Sequence, residues 1–296
     1  MKILITGASS LPGYRTVIEA LNEDYKVCGI YNTNPVSINH KNFISSKVDV
    51  RNYEELNRLF EDFKPNIVIH MAALGNPDLC EKDKNLAWSI NVQGSINVVK
   101  LASKYSNFMI YMSTDYVFDG EKGYYNEDDP PNPINYYGLT KLMGEIISMS
   151  SNIPCAIVRG STIYGFGPGR ENFAKFLFKN LKEGKPVKAV EDQYTSPTQA
   201  SLLAKAILEI VEEEKSGVFH IVGERMSRYD FAIKVAEALN LDKSLISPCK
   251  MNEMKWYAKR PKDSSLNFDH TKNIIKTDFY STSKALKILK EEMLEG

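Results

Sequence analysis

Short apolar segments alternate with longer amphipathic segments through the first half of the chain. The apolar segments span residues 3–5, 27–31, 67–71, 108–112 and 156–159, and a further one ends at Asp49 and Val50. Between them, residues 14–22, 53–63, 86–105 and 137–149 carry apolar side chains at helical spacing. This alternation predicts strand–helix–strand units with right-handed crossovers. We therefore expect an α/β protein with a doubly wound parallel sheet and a ligand at the carboxyl ends of its strands.

The pattern changes after Arg159. Residues 160–170 contain four glycines and one proline, which is typical of a loop that borders a cleft. Helical patterns follow at 173–181, 202–213, 229–239 and 282–294, and the apolar run at 219–222 predicts a strand that returns to the main sheet. Ser227 is the expected cap of the helix at 229–239. We expect a nucleotide-binding core over residues 1–160 and a smaller substrate-binding lobe over 161–296, interleaved with core elements at about 200–225.

Charge and cysteine content argue against several classes of function. The 37 basic residues balance 37 acidic ones, so no net field attracts nucleic acid or an anionic membrane. No apolar run approaches the roughly 20 residues that span a bilayer, and the N-terminal apolar stretch is too short for a signal-peptide core. The four cysteines form no Cys-x-x-Cys pair and the histidines lack metal-ligand spacing. Reduced thiols, no metal and a cytoplasmic location are therefore expected.

Residues 6–13 lie between the first predicted strand and the first helix, where a pyrophosphate would meet a helix N-terminus. The usual dinucleotide fingerprint has three glycines. Here Gly7 and Gly13 hold the outer places and Ser10, with a hydroxyl able to donate to a phosphate, holds the middle one. An ordinary tight turn is the alternative, but the setting favours a dinucleotide cofactor and a Rossmann-like core. The predicted cofactor contacts in this turn are Gly7, Ser9, Ser10, Leu11 and Gly13.

The residues after the second strand bear on the choice of cofactor. Residues 29–34 contain no acidic side chain to hold a ribose 2′-hydroxyl, which favours NADP(H) over NAD(H). Asn32 and Arg15 are candidates to donate to a 2′-phosphate. Asp49, next to Val50, is placed to accept from the adenine amino group, although an aspartate that caps the following helix is an equal alternative.

The fourth strand ends in small residues. Ala72 and Ala73 would let a cofactor pass over the backbone, and His70 before them is interpreted as a strand-end core residue rather than a catalyst.

Tyr137 and Lys141 are four residues apart in a helical segment, so their side chains share one face. An adjacent ammonium is expected to lower the pKa of a phenol from its usual value of about 10. The spacing is common by chance, and a surface pair is the alternative. A functional role for the pair is favoured by the cofactor turn and by the hydroxyl of Thr114 after the fifth strand. Tyr136 has only Thr140 four residues on. These features predict nicotinamide-dependent carbonyl or alcohol chemistry.

Four segments carry a resemblance to a known family. The most specific is Ser-Thr-Asp-Tyr-Val-Phe-Asp-Gly at residues 113–120, followed by Tyr137-x-x-x-Lys141. The others are Asp-Gln-Tyr-Thr-Ser-Pro-Thr at 192–198 and Arg-Pro-Lys-Asp-Ser-Ser-Leu at 260–266. With these motifs the chain resembles an extended short-chain dehydrogenase/reductase, and within that group the dTDP-4-dehydrorhamnose reductase family.

The resemblance implies a role for each residue of the catalytic group. Tyr137 would donate a proton to the carbonyl oxygen as hydride arrives from the nicotinamide. Lys141 would hold the nicotinamide ribose, and Thr114 would hydrogen-bond the reacting oxygen. Arg159 begins a segment similar to the loop that covers the nicotinamide. Asn91 matches a helix position that supports the active site.

The resemblance also implies contacts with a nucleotide sugar, for which Arg260 is the best diphosphate candidate because a guanidinium binds oxyanions bidentately. The implied substrate contacts are Asp115, Asn172, Gln193 and Arg260. A solvated basic patch is the alternative for Arg260 and Lys262.

Three functions remain open on the sequence. The first is NAD(P)H-dependent reduction of the 4-keto group of a nucleotide-linked deoxysugar, as in dTDP-4-dehydrorhamnose reductases. The second is a sugar-nucleotide epimerase or dehydratase, although Tyr116 after Asp115 disfavours dehydration. The third is a cofactor-binding regulatory subunit that resembles the beta subunit of methionine adenosyltransferase. A nucleotide-sugar substrate is the expected partner, a homodimer is left open, and no nucleic acid or membrane partner is expected.

Overall fold

The computed structural model describes residues 1–295 and is built around a sheet of seven parallel strands. These strands are β1 (Lys2–Thr6), β2 (Lys26–Tyr31), β3 (Phe43–Lys47), β4 (Ile67–His70), β5 (Phe108–Thr114), β6 (Cys155–Gly160) and β11 (Gly217–His220). Their order across the sheet is β3, β2, β1, β4, β5, β6, β11, and each neighbouring pair is parallel. This is the doubly wound Rossmann-like arrangement expected from the sequence, and the order reverses between β1 and β4.

Helices cover both faces of the sheet and build the region beyond it. They are α1 (Leu11–Asn22), α2 (Tyr53–Phe63), α3 (Pro77–Lys82), α4 (Lys84–Trp88), α5 (Gly94–Tyr105), α6 (Tyr136–Met149), α7 (Phe173–Lys182), α8 (Ala200–Glu213), α9 (Arg228–Ala238), α10 (Asp269–Lys272) and α11 (Thr282–Glu295). Three short strand pairs complete the architecture: β7 (Ile163–Tyr164) with β10 (Thr198–Gln199), β8 (Val187–Val190) with β13 (Ile246–Cys249), and β9 (Tyr194–Thr195) with β12 (Met226–Ser227). Within residues 1–295, no helix is both long and apolar enough to pass through a bilayer.

Alternate residues of each central strand enter two separate cores. Ile3 and Ile5 of β1 pack with Val17 of α1 and Ile207 of α8 on one face. Leu4 belongs to the core on the other face, which contains side chains of α2 and α5. Because both faces of a parallel sheet are buried, its strands appear in the sequence as continuous apolar runs.

Most predicted elements are present, with three instructive differences. The returning strand predicted at 219–222 is β11, which pairs with β6 as expected. The single helix predicted at 86–105 is instead α4 and α5, separated by a π-helical turn at Ser89–Gln93. The third strand ends at Lys47, before Asp49 and Val50. The assignment of the rest of residues 161–295 to a substrate-binding lobe stays a prediction.

Side-chain caps explain where several helices begin. Asn135 accepts a hydrogen bond from Gly138 N at the start of α6, and Ser227 caps α9 as expected from the sequence. Asn52 caps α2 by accepting from Glu55 N, so the alternative that Asp49 caps this helix is wrong. Asp49 accepts instead from the backbone and guanidinium of Arg51.

Helix α6 lies unusually close to β5 because two of its residues have no side chain. A Cβ at Gly138 would lie 2.0 Å from the carbonyl oxygen of Tyr116, and a Cβ at Gly144 would lie 1.9 Å from the hydroxyl oxygen of Tyr111. Tyr111 is fully buried, so it has no room to withdraw. These glycines let the helix that carries Tyr137 and Lys141 rest directly on the sheet.

We expect Gly144→Ala to destabilise the protein by about 1–3 kcal/mol or more, because the added methyl group overpacks a rigid contact. Urea unfolding monitored by circular dichroism measures this change. Gly75→Ala is the matched control, since a Cβ there meets no atom within 4 Å. Equal stabilities of the two variants would show that α6 is free to shift away from β5.

Candidate active site

Two glycines shape the carboxyl end of β1. Gly7 has a φ of +71°, and a Cβ there would lie 2.8 Å from Ala72 N at the end of β4. A Cβ at Gly13 would lie 2.3 Å from the carbonyl oxygen of Gly7. The turn before α1 therefore packs backbone against backbone at the point where the strand order reverses, which is where doubly wound sheets bind dinucleotides.

The hydroxyl of Ser10 is used within this turn. It donates to Gly7 O at 2.7 Å and accepts from Gly13 N at 3.2 Å. The expected donation from this hydroxyl to a phosphate is therefore not available in this arrangement. The backbone N–H groups of Ser9, just before α1, and of Leu11, its first residue, have no acceptor among the described residues and remain the donors suited to an anion.

A glycine-rich strap, residues 165–170, crosses the N-terminus of α1. A Cβ at Gly169 would lie 2.8 Å from Leu11 N, so the strap touches the helix backbone at this point. At its other end, Arg170 donates to Gly75 O at 3.1 Å, across the groove. The strap thus lies over the turn that the sequence predicts to bind a pyrophosphate.

Arg15 is not placed to reach a 2′-phosphate. Its guanidinium donates to Phe166 O at 2.6 Å and forms an ion pair with Glu292 of α11 at 3.2 Å. Glu292 also accepts a hydrogen bond from Phe166 N, so the backbone N–H and C=O of Phe166 are both hydrogen-bonded. The arginine supports the strap instead.

The predicted adenosine contacts surround the groove beyond β2 and β4. Asn32 follows β2 and is exposed. Val50 is buried, and its side chain packs against Gly94 of α5. Asp49 holds Arg51 in a bidentate pair, which keeps the pKa of its carboxyl below the usual value. Ala72 and Ala73 follow β4 as the small residues that the sequence indicated. The side chain of Asn32 is free to contact a ligand without breaking any described interaction.

His70 and Asn91 have structural roles. His70 is buried, with its ring nitrogens bonded to the hydroxyls of Thr6 at 2.6 Å and Ser95 at 2.9 Å, and burial lowers its pKa to about 3. Asn91 accepts from Leu74 N and donates to Thr140 of α6, so it ties the loop after β4 to the helix that carries Tyr137. A neutral, fully bonded histidine fits its interpretation as a core residue.

Thr114, Tyr137 and Lys141 converge at the carboxyl edge of the sheet. Thr114 ends β5 and Tyr137 is on the first turn of α6, where the hydroxyl of Thr114 is near enough to act on the pKa of the phenol. Lys141 follows one turn later, 3% exposed, with its ammonium 4.1 Å from the centre of the Tyr111 ring. Across residues 1–295 this ammonium has no hydrogen bond or ion pair, so its N–H groups are donors without a described acceptor.

The expected acidification of the phenol by the ammonium is wrong for this structure. Burial raises the pKa of Tyr137 well above its usual range, and the hydroxyl of Thr114 offsets only part of this effect. Burial also lowers the pKa of Lys141, to about 7, although the carboxylate of Glu145 opposes that change. Desolvation is therefore the largest influence on the pKa of each group, and Tyr137 is a neutral phenol.

Arg159 lies below the groove rather than in it. Its guanidinium donates to both oxygens of Glu145, at 2.9 and 2.8 Å, and both side chains are almost completely buried. Ser113 donates to the same carboxylate, and Arg159 also contacts His220 of β11. The predicted cofactor contact through the Arg159 side chain is thus not what this geometry offers, because the guanidinium is already paired.

Asp115 joins three segments that line the cleft. Its buried carboxylate accepts hydrogen bonds from Thr114 at 3.0 Å, Ser161 at 2.7 Å and Ser264 at 2.6 Å. Burial raises its pKa, and the three hydroxyls oppose that change. The carboxylate orients Thr114 and fastens the walls of the cleft, so it is poorly available for the predicted substrate contact.

The other predicted substrate contacts come from the region beyond the main sheet. Asn172 caps α7 and donates to Gly165 O at 2.8 Å. Gln193 is buried and donates to Pro261 O, while its Oε1 has no hydrogen-bond partner in the described part of the chain. Arg260 forms an ion pair with Asp78 at 3.0 Å.

Sequence reasoning missed three residues at this cleft: Asp78, Arg170 and Arg228. Asp78 is the second residue of α3. Its carboxylate accepts hydrogen bonds from the backbone N–H groups of Tyr257 and Ala258 and forms an ion pair with Arg260. No spacing in the sequence links these segments, which come together only through tertiary packing. Among the described residues, no cluster of three or more histidine, cysteine or acidic side chains is arranged to hold a metal ion.

Known proteins resemble this chain along nearly its whole length. The family model for the RmlD substrate binding domain matches residues 1–294. Methionine adenosyltransferase 2 subunit beta of Rattus norvegicus is 31% identical over 280 residues, which cover 90% of this chain and 80% of that protein.

Two solved structures show the same fold at substantial identity. The hypothetical dTDP-4-dehydrorhamnose reductase of Sulfolobus tokodaii is 38% identical with a TM-score of 0.84, and the match covers 95% of this chain and 97% of that chain. The dTDP-4-dehydrorhamnose reductase of Bacillus anthracis, solved in complex with NADP, is 27% identical with a TM-score of 0.85, and the match covers 100% and 99%.

These matches confirm the resemblance inferred from residues 113–120 and the Tyr137-x-x-x-Lys141 motif. The family model leaves out only the last two residues of the chain. The chain therefore belongs to the RmlD substrate-binding domain family.

Proposed function

We propose that this protein is an NAD(P)H-dependent oxidoreductase that reduces the 4-keto group of a nucleotide-linked deoxysugar, as dTDP-4-dehydrorhamnose reductases do. The observation that carries the proposal is the convergence of a neutral phenol, a hydroxyl and an unpaired buried ammonium at the carboxyl edge of the sheet. The family and the solved reductases support it.

The residues present fit a dinucleotide. Gly7 and Gly13 keep the turn packed backbone against backbone, since a Cβ at either would meet backbone atoms, and the N–H groups of Ser9 and Leu11 suit a pyrophosphate. The ammonium of Lys141 would hold the ribose hydroxyls next to the nicotinamide. A bound nicotinamide would supply the hydride for the reduction.

The raised pKa of Tyr137 suits reduction, in which the phenol has to carry a proton. A neutral Tyr137 donates its proton to the carbonyl oxygen as negative charge develops there. Thr114 would donate to the same oxygen when its hydroxyl proton turns from Asp115 to the ketone, and it would then fix the ketone relative to the phenol.

We infer NADP(H) as the preferred cofactor. The support is the absence of an acidic residue at the end of β2, where Asn32 is exposed, and the NADP in the B. anthracis reductase. Arg15 no longer contributes to this inference, because it pairs with Glu292.

A regulatory role is the second candidate. It is favoured by the 31% identity to methionine adenosyltransferase 2 subunit beta over 90% of this chain. A regulatory subunit would bind the cofactor and a partner enzyme without turning over a sugar. Binding of NADPH without oxidation by any 4-keto sugar nucleotide, together with co-purification of a methionine adenosyltransferase, would select this role.

We expect Tyr137→Phe to lower kcat by about 10²–10⁴-fold and to leave the Kd for NADPH within about twofold, because only the proton donor is lost. Oxidation of NADPH by dTDP-4-dehydrorhamnose, followed by absorbance, gives kcat, and fluorescence titration gives the Kd. Tyr136→Phe is the matched control and should retain parental kcat. Loss of activity in both variants alike would remove the proton-donor assignment.

Cofactor affinity should fall as the pH rises above about 7. The pKa of Lys141 is about 7 in this structure, and hydrogen bonds to a bound ribose would raise it, so binding takes up a proton. We expect the Kd for NADPH to increase between pH 7 and 9 by up to about tenfold per unit. In Lys141→Met the binding should be weaker and nearly independent of pH. An unchanged slope in that variant would assign the proton to another group.

Asn32→Asp should reverse the cofactor preference. The new carboxylate repels a 2′-phosphate and accepts from a ribose 2′-hydroxyl. We expect NADPH to bind about tenfold or more weakly and NADH at least as tightly, as measured by fluorescence titration. Asn34→Asp, two residues further into the exposed turn, is the control. If the parent already prefers NADH, the inference of NADP(H) fails.

A further inference from the structure

Glu292, in the last turn of α11, is a buried carboxylate with four donors around it. It is 5% exposed. Its Oε1 accepts hydrogen bonds from Gln199 Nε2 at 2.8 Å and from Ser201 Oγ at 2.7 Å. The guanidinium of Arg15 lies 3.2 Å from the same oxygen, and Oε2 accepts from Phe166 N at 2.8 Å. Because a buried carboxylate is costly without donors, these groups hold the side chain in one place.

One of these four donors belongs to the strap, which has no helix or strand of its own. Glu292 binds the N–H of Phe166, and Arg15 of α1 binds its carbonyl oxygen at 2.6 Å. The backbone also passes close to the carboxylate, since a Cβ at Gly165 would lie 2.9 Å from Glu292 Oε2. The pair of Glu292 and Arg15 thus ties an irregular segment to two helices.

The other side chains that hold the first half of the strap come from its own flank. Asn172 donates to Gly165 O at 2.8 Å, and Lys175 donates to Gly167 O at 2.5 Å. Both belong to the start of α7, which follows the strap directly in the chain. They brace the strap against α7. Among the described hydrogen bonds, those of Phe166 are the ones that fix this half relative to α1 and α11.

The second half of the strap meets the predicted cofactor turn. A Cβ at Gly169 would lie 2.8 Å from Leu11 N and 3.2 Å from Ser10 Cα, so the strap touches the backbone that offers donors to an anion. Beyond this contact, the exposed Arg170 makes one hydrogen bond, to Gly75 O. The strap is therefore firmly fixed at its first half and weakly held at its second, as a segment that pivots would be.

We propose that Glu292 is a positioning residue for the dinucleotide. By fixing Phe166, it sets where the strap lies over the turn before α1 and thereby slows the release of a bound cofactor. The proposal rests on the proposed function for the presence of a nicotinamide dinucleotide, and it makes the C-terminal helix part of the cofactor site.

The first test compares the release of NADPH by Glu292→Gln and by the parent, using stopped-flow fluorescence after displacement with excess NADP⁺. We expect the dissociation rate to rise about 10- to 100-fold, which is the usual effect of losing a charge-assisted hydrogen bond. The association rate should change much less. Glu291→Gln is the matched control, because the neighbouring Glu291 is exposed and pairs only with Lys287, at 4.0 Å. Its dissociation rate should equal that of the parent.

A second variant separates positioning from general stability. Glu292→Gln leaves the charge of Arg15 without its partner, which lowers stability. The double variant Arg15→Met with Glu292→Gln removes both charges, so its melting temperature should lie closer to that of the parent. Since the strap is still untied in the double variant, its NADPH dissociation should remain fast.

Limited proteolysis gives a readout without cofactor. Trypsin cleaves after the exposed Arg170, and in the ligand-free Glu292→Gln protein this cleavage should be about tenfold faster than in the parent. Parental NADPH dissociation in both Glu292 variants, or parental cleavage after Arg170, would overturn the proposal. A parent that binds NADPH but reduces no keto sugar would refute the proposed reaction, and faster release from the Glu292 variants would still support the positioning role. A parent that binds no dinucleotide would refute both.

Discussion

The buried ion pair between Arg159 and Glu145 joins α6, the helix that carries Tyr137 and Lys141, to the sheet. Glu145 is one turn after Lys141 on α6, and it accepts from Arg159 of β6 and Ser113 of β5. Breaking a buried pair of this kind leaves an uncompensated charge, at a typical cost of 3–5 kcal/mol. The pair thus fixes the rotation of α6, and with it the direction in which Tyr137 and Lys141 project. The charge of Glu145 also favours the ammonium form of Lys141.

Lys141 carries a charge for which the described chain gives no hydrogen-bond partner. Its ammonium lies 4.1 Å from the centre of the Tyr111 ring, and burial disfavours the charged form. A hydroxyl or phosphate of a ligand would supply the missing acceptor. A buried charge that is costly without its ligand is the usual relation between stability and function at a binding site.

The features that the sequence predicted are those that arise from local patterns of residues rather than from contacts between distant segments. The parallel strands were predictable because burial on both faces leaves continuous apolar runs, and the proximity of Thr114, Tyr137 and Lys141 because these residues lie at the ends of predicted elements. The direction of the pKa shift at Tyr137 was not predictable from the sequence, because the burial that causes it arises from packing between distant segments. The ion pair of Arg15 was not predictable either, because its partner Glu292 is at the far end of the chain. The break in the helix predicted at 86–105 was also not predictable, because residues Ser89–Gln93 of the π-helical turn include no glycine or proline.

The carboxylate of Asp115 restricts how the cleft is able to move. Its three donors come from the end of β5, from the segment between β6 and β7, and from the chain near residue 264. Pulling these segments apart would leave a buried carboxylate without donors, at about 1–3 kcal/mol for each group. Separation of these three segments is therefore disfavoured. Opening the groove on the opposite side costs less, because it breaks the hydrogen bond between Arg170 of the strap and Gly75 O, which joins exposed groups.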